Sequence, residues 1–406
     1  MPDQQLSHRI DLTTRLVGAE LLVLLAVTWP LWTCARELPT LPAAQVLLQV
    51  PAWVDVVLLA GLVSAAVRVL ASGRRPLLVL LVLTSTMLLD QLRWQAWAIH
   101  AWLVCLVLCG GTPRAQLGVL RALTIAVYAY SAISKFDHTF ATTLGQQFLL
   151  TLAGPFAETL AAVDGDTRAT LAMLFPAFEL GAAVLLAVPR LRVWGLAAAV
   201  AMHLSLAMVF APWGVNHSWG VIAWNLFFAA NTALLFAPGK WIDGLPRAAP
   251  APPARWPWLP LVAAVVLGAV LPAAGMLSWW DVWPSWALYA AGRERADATL
   301  AAQHVDNLPD SLQQLIGTGN DNEQRIVVPL DTWCLQQTGA PLYPGTRVPA
   351  ALAFWLADRQ GYSTELRVVV QSTANRRTGE RTTQTLSSIS ELRRQLATYR
   401  LNTTAR

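Results

Sequence analysis

Lys135 is one of only two lysines in 406 residues, and it closes an apolar run in which an amine has chemistry open to it. Ser131, Tyr128 and Thr124 precede it by four, seven and eleven positions, so on a helix the amine and three hydroxyls share one face. In an apolar pocket a lysine loses the hydration of its ammonium, which favours the neutral amine, a general base. At a helix end the same side chain also suits an interfacial anchor with its charge among headgroups, and the spacing leaves both roles open. Asp137 and Tyr128 stand where they would orient the amine. Glu179 follows Pro176 by one turn, and a proline inside an apolar helix frees a carbonyl that polar neighbours or water must satisfy. His203 lies at similar depth in the next apolar segment. A Glu179–His203 pair would relay a proton and orient the imidazole, or would only join two helices, the role also read for Asn225 and Asn231. No HExxH, CxxC pair or EF-hand spacing occurs, so no metal is expected. Gly317-Thr318-Gly319 lacks the third glycine and the context of a nucleotide loop.

Membrane helices must position these groups. Apolar residues make up 55% of the chain and charged residues 13%, against about 45–50% and 25% in soluble domains. Residues 1–280 hold 28 charged side chains and the remaining 126 positions hold 25, so charge density doubles at one boundary. The chain reads as an all-α polytopic membrane domain over 1–280 and a small extracytoplasmic α+β domain over 281–406. A soluble enzyme, a secreted disulfide scaffold and a disordered protein are excluded. Of 29 basic residues 27 are arginines scattered along the chain, which gives no nucleic-acid surface. The closest cysteines, Cys105 and Cys109, form a CxxxC within an apolar helix rather than a redox pair. The first hydrophobic run is too long for a cleaved signal peptide.

A hydrocarbon core about 30 Å thick takes roughly 20 helical residues, and nine spans are predicted: Leu16–Trp32, Trp53–Ala71, Pro76–Leu89, Gln95–Cys109, Leu117–Ser134, Ala169–Ala187, Val193–Phe210, Ser218–Phe236 and Trp258–Trp279. The third and fourth are short. Arg9, Arg15, Arg74, Arg75, Arg114, Arg190, Arg192, Lys240, Arg247 and Arg255 fall on one side, which places the N-terminus in the cytoplasm and the tail in the periplasm. Arg68 and Arg121 lie close enough to that side to snorkel. Ten tryptophans, Trp29, Trp32, Trp53, Trp94, Trp97, Trp213, Trp219, Trp279, Trp280 and Trp283, would form an outer aromatic belt. Asp90, Arg93, His100, Lys135, Asp137 and His217 cluster at the outer ends, which predicts a polar cavity open to that face. Phe140, Leu144, Phe148 and Leu152 recur every four residues, as on an interfacial helix able to cover the lysine.

Pro246–Pro257 is a Pro/Ala linker that disfavours helix. In the tail, Glu365–Gln371 and Glu380–Leu386 flank Asn375–Gly379 as a hairpin. Ser390 is a candidate cap for a helix carrying Leu392, Leu396 and Tyr399.

Tyr128–Gln147, YAYSAISKFDHTFATTLGQQ, resembles the horizontally transferred transmembrane (HTTM) domain family, which includes the vitamin K-dependent γ-glutamyl carboxylases. Lys135-Phe136-Asp137 and Gly145 match that family's Lys-Leu-Asp and following glycine in order, and the likeness extends over about residues 10–290. It implies that Lys135 corresponds to the lysine that deprotonates vitamin K hydroquinone. It does not extend to glutamate carboxylation. Where the carboxylases open the fourth span with Asn-His, this chain has Asp90-Gln91-Leu92-Arg93, and its tail is much shorter.

Two readings follow. One is a bacterial-type inner-membrane protein whose outward pocket takes a quinone or isoprenoid lipid, with Lys135 as base, Asp137 and Tyr128 orienting it, and Glu179 and His203 relaying protons. The other is a non-catalytic scaffold or redox-partner subunit, similar to small DoxX-like proteins. Its tail would bind a protein partner through Tyr343-Pro344 and Ala350–Leu356. A transporter would show inverted repeats with broken spans, and none is visible.

Overall fold

The computed structural model describes residues 3–74, 76–242, 258–316, 325–360 and 366–406. The Pro246–Pro257 linker, Arg75, Gly317–Gly319 and Glu365 lie outside them. Helices α1 (Asp3–Val27), α2 (Trp53–Ser72), α3 (Leu77–Leu89), α4 (Ala96–Leu108) and α5 (Pro113–Lys135) run back and forth. The short α6 (His138–Thr142) and α7 (Leu144–Ala153) follow, then α8 (Gly165–Ala172), α9 (Leu174–Ala187), α10 (Arg192–Phe210), α11 (Trp219–Phe236) and α12 (Leu259–Val265). Five stretches are long and apolar enough to cross a membrane: α2, α5, α8 with α9, α10 and α11. The chain is therefore a multi-pass membrane protein. Helices α3 and α4, 13 residues each, reach only about 20 Å. Helix α1 is long enough, but His8, Arg9, Asp11, Arg15 and Glu20 dilute its apolar character.

Prolines shape two of the helices. Between α8 and α9 the helix breaks at Met173, three residues before Pro176. After α12 the chain makes a wide turn over Val266–Val270, with Leu271 N–H reaching Val266 O at 2.8 Å. Pro272 follows; it has no N–H for the Gly268 carbonyl one turn back, and its ring would clash there. The indole of Trp286 donates to that carbonyl instead, at 2.8 Å.

Arg121 and several arginines counted for orientation close helix ends. The last carbonyls of a helix lack internal partners and attract cations. Arg9 donates to Leu234 O and Ala237 O and Arg121 to Leu235 O at the end of α11. Arg15 reaches Leu70 O and Ala71 O of α2, and Arg192 reaches Leu186 O of α9. Arg121 caps this helix end with its guanidinium over the Phe236 ring.

The opposite end, which carries the tail, holds a buried ion-pair network. Arg93 meets Asp55 at 2.5 Å and donates to Leu31 O and Thr86 O. Asp55 also faces Arg406 at 3.3 Å, and Arg36 pairs with Asp90. Asp90 and Arg93 therefore do not line an open polar cavity; each is fully enclosed among partners. Backbone bonds between Thr40 and Arg406, at 3.1 and 3.0 Å, tie the last residue to this network. The Cys34 thiol donates to Asp55 at 2.9 Å, and burial, that bond and the carboxylate's charge push its pKa up to about 11. Two units above the ordinary thiol leave about a hundredth of the thiolate at pH 8. Alkylation of Cys34 by iodoacetamide, followed by mass spectrometry, is expected to run about a hundredfold slower than for an exposed cysteine. Asp55→Asn, by removing the charge, should lower the pKa and speed the reaction.

The tryptophan belt divides. Trp29, Trp53, Trp213, Trp219 and Trp279 are exposed, whereas Trp32, Trp97 and Trp283 are core residues.

The tail is built on an antiparallel sheet of order β2-β1-β3-β4, with β1 Arg295–Ala301, β2 Arg325–Val328, β3 Arg367–Gln371 and β4 Thr383–Leu386. Val368 faces Leu386 and Gln371 faces Thr383, the hairpin expected from the alternation. Alternate residues Ala296, Ala298 and Leu300 of β1 are buried, on the strand that α14 packs against. Four α-helices complete the tail among the described residues: the short Asp310–Ile316, then α13 (Leu330–Thr338), α14 (Arg347–Gln360) and α15 (Ile389–Leu396). Ser388, not Ser390, caps α15: its hydroxyl accepts from Glu391 N–H, and Glu391 in turn accepts from Ser387 N–H. The two bonds satisfy backbone donors at the start of the helix, which begins ahead of Ser390. Tyr343, Ala350, Ala351, Leu352, Ala353 and Leu356 are buried, so the surface expected to bind a partner is core. The apolar run is the face by which the tail holds itself together.

Candidate functional site

The lower end of α5 supplies the amine that the sequence singled out. Lys135 Nζ donates to Ser131 O at 3.0 Å and to Ser131 Oγ at 2.5 Å, and meets Glu179 Oε2 at 2.8 Å. Both charged side chains are about nine-tenths buried, 8% and 12% exposed, so each is the other's main compensation for lost hydration. Ser131 is within reach because it lies one turn earlier on the same face.

A second chain of hydrogen bonds starts one turn higher. Asn225 Nδ2 donates to Val221 O at 2.9 Å, which leaves its Oδ1 to accept from His203 Nδ1 at 2.9 Å. His203 Nε2 is then the bare nitrogen, and it accepts the Tyr128 hydroxyl at 2.8 Å. Tyr128 Oη in turn lies 3.0 Å from Thr232 Oγ1, which donates to it because the tyrosine proton is already committed. One tautomer of the imidazole is thus fixed from its far side.

Lys135, Glu179, Tyr128 and His203 line one cavity of about 70 Å³, together with Ser131 and Asn225. Its other walls are apolar, among them Phe140, Phe148, Phe175 and Phe228. The cavity unites four of the five residues picked from sequence, but in a different pairing. Glu179 partners Lys135, and His203 partners Tyr128 and Asn225, so the expected Glu179–His203 pair does not form. Asp137 stands apart: its carboxylate accepts from Phe140 N–H at 2.7 Å and caps α6. It lines another cavity, beside Gly292 and Arg293. The amine is oriented by Ser131 and Glu179 instead.

The segment after α5 covers the site. It consists of two helices broken at Thr143 rather than one. Phe140 and Phe148 turn inward and are buried, while Leu152 is exposed. Gly145 permits the tight fold, since a Cβ there would lie 2.8 Å from Phe140 O and 2.9 Å from Ala172 Cβ. The hairpin tip of the tail pins the start of this cover, with His138 N–H donating to Arg376 O at 2.8 Å and Arg376 donating to Ile133 O.

Eight lining residues went unread in the sequence, among them Trp224, Leu288 and Tyr289. Trp224 sits on α11, one turn before Phe228, where it reads as ordinary apolar helix. Leu288 and Tyr289 return from beyond the last apolar segment, and Tyr289 has φ of 56°, which nothing in its side chain announces. Tyr289 stacks on Phe210 at 5.0 Å and meets Phe148 edge-on at 5.8 Å. Among the described residues no group of three or more His, Cys, Asp and Glu could hold a metal ion.

The fold and site define a multi-pass membrane protein with an enclosed lysine–carboxylate pair beside an apolar, aromatic cover. No family model matches the chain, and no curated protein or solved structure is significantly similar to it.

Proposed function

We propose that this protein binds a lipid-soluble weak acid, of the hydroquinone or phenol class, in the cavity around Lys135 and takes a proton from it. The observation that carries the reading is the burial of the Lys135 amine against Glu179 and Ser131 in a cavity whose remaining walls are mostly apolar and rich in aromatic rings. The proton that the pair shares can rest on Glu179, which leaves the amine able to take the proton of the substrate hydroxyl, and the oxyanion so formed lies beside the new ammonium. Tyr128, committed to His203, orients polar atoms at the upper end. The resemblance of Lys135-Phe136-Asp137 and Gly145 to the HTTM family supports the same role for the lysine. The nine-span arrangement, the cytoplasmic N-terminus and the periplasmic tail belong to this proposal, which puts the cavity near the outer leaflet.

Size adds a condition. A cavity of about 150 Å³ accepts benzene, and this one has about 70 Å³, so a ring enters only when Phe140 and Phe148 move aside. The break at Thr143 gives the cover a place to bend. The test is mass spectrometry of the lipid extract from mildly purified protein. Wild type is expected to retain a quinone or isoprenoid phenol that Lys135→Met loses, while Phe148→Ala, with a wider cavity, retains at least as much. Identical extracts from wild type and Lys135→Met, both folded, would refute the proposal.

A further inference from the structure

A separate cavity of about 60 Å³ lies where the tail meets the membrane helices. Tyr130 and Ile133 of α5 and Met276, beyond α12, form one side, and Arg293 and Arg376 of the tail form the other. Helix α5 is among the stretches able to cross a membrane, and Arg376 reaches the Ile133 carbonyl in its last turn. Val266, Val270, Met276, Leu277 and Trp279 are exposed, so apolar surface runs up to the cavity and ends at a tryptophan, a residue enriched at headgroup depth.

The polar side of this cavity is built for an anion. A guanidinium carries five N–H donors in a planar fork that matches phosphate oxygens. Arg293 spends one nitrogen on Gly275 O and Arg376 one on Ile133 O, and among the described residues neither has a carboxylate within 4 Å. Burial, and next the like charge of Arg376, lower the pKa of Arg293, while Glu294 and Asp137 oppose this from further away. Asp137 also lines the cavity, its Oδ1 accepting from Phe140 N–H at 2.7 Å. Two guanidiniums and one carboxylate leave the wall with one net positive charge, which the single negative charge of a phosphodiester balances. Tyr130 and Ser134 add no donors, because their hydroxyls donate to Ala269 O and Ser131 O, each at 2.8 Å. A water needs roughly 10–15 Å³ of cavity, so this space holds about four or five groups of that size, enough for a phosphate.

We propose that this cavity binds the phosphate of a membrane phospholipid between Arg293 and Arg376, with the acyl chains running back along the exposed Met276, Val270 and Val266. A free phosphate ester offers the same charge without the chains, and the apolar surface leading from the cavity makes the lipid the occupant. The site does not rest on the role assigned to Lys135.

The probes are dioleoylphosphatidylglycerol, dioleoylglycerol, which lacks the phosphate, and glycerophosphoglycerol, which lacks the chains. Each is titrated into the full chain, delipidated in a maltoside detergent, and bound copies are counted by mass spectrometry of the intact complex. The phospholipid is expected to fill one site at least tenfold more tightly than either fragment. Arg376→Gln should remove that advantage, whereas Arg377→Gln, on the same hairpin tip but outside the cavity lining, and Lys135→Met should leave it unchanged. Arg376 is exposed, so its variants are expected to keep the wild-type melting temperature. If Arg376→Gln does lower it, Arg376→Lys, which keeps the charge and loses the fork, serves in its place and should bind the phospholipid severalfold more weakly than wild type. The proposal is overturned if dioleoylglycerol binds as tightly as the phospholipid, or if glycerophosphoglycerol does, which would make this a site for free phosphate esters. It is equally overturned if folded Arg376→Gln binds as wild type does, or if Arg377→Gln weakens binding as much as Arg376→Gln.

Discussion

Arg93→Met is expected to destabilise the protein by about 3–5 kcal/mol, because removing one partner of a buried ion pair leaves the other charge uncompensated. Arg93 is fully enclosed and meets Asp55 at 2.5 Å. Its loss leaves Asp55 with Arg406 at 3.3 Å and the Cys34 thiol, which lessens the penalty of the stranded charge. It also removes donors from Leu31 O and Thr86 O, each worth about 1.5–3 kcal/mol when the donor is charged. The double variant Asp55→Asn with Arg93→Met should cost less than Arg93→Met alone, since neither charge is then stranded. Thermal unfolding of the single and double variants in one detergent measures the difference. Equal losses would mean that the carbonyl bonds, rather than the pair, account for the effect.

The sequence carried a good deal of this architecture. The drop in charge density before residue 281, the hairpin around Asn375–Gly379 and the apolar runs all have counterparts in helices and strands. Lys135 stood out because a lone lysine beside three hydroxyls at helical spacing is a local pattern. Partners across helices were not local. Glu179 and His203 occupy adjacent helices at similar depth, yet their rotation about the helix axes sends one to Lys135 and the other to Tyr128. Asp137 follows Lys135 by two residues, and the chain turns between them, so the carboxylate is spent on capping α6. Arg93 and Asp90 looked like cavity residues because burial of charge at a span end reads the same whether the charge meets a cavity or a counterion. Asp55 lies in another helix and Arg406 at the far end of the chain. Arg9, Arg15 and Arg192 at the opposite end were read as topology signals and Arg121 as a snorkelling side chain; all four meet carbonyls at helix ends, a demand of helix geometry that acts on either side of a membrane.

The run Ala350–Leu356 misled for a related reason. An apolar stretch in a charged tail reads as an exposed patch until a sheet is known to lie against it. Its burial removes the surface on which the scaffold reading depended, which leaves the cavity as the feature that most needs a function.

The second large effect concerns that cavity. A phenol bound beside Lys135 is expected to give up its proton to the amine, and 4-nitrophenol reports this directly because its phenolate absorbs visible light and its neutral form does not. The measurement is a titration of 4-nitrophenol into nanodisc-embedded protein at a pH below the free phenol's pKa, read as phenolate absorbance. Lys135→Met serves as the reference, and Phe148→Ala opens the cover. Wild type and Phe148→Ala should show phenolate absorbance that saturates at one equivalent, with at least a tenfold smaller signal in Lys135→Met, a difference of about 1.4 kcal/mol in stabilisation of the anion. Equal absorbance with and without the lysine, in protein that remains folded, would contradict the assignment of Lys135 as the proton acceptor.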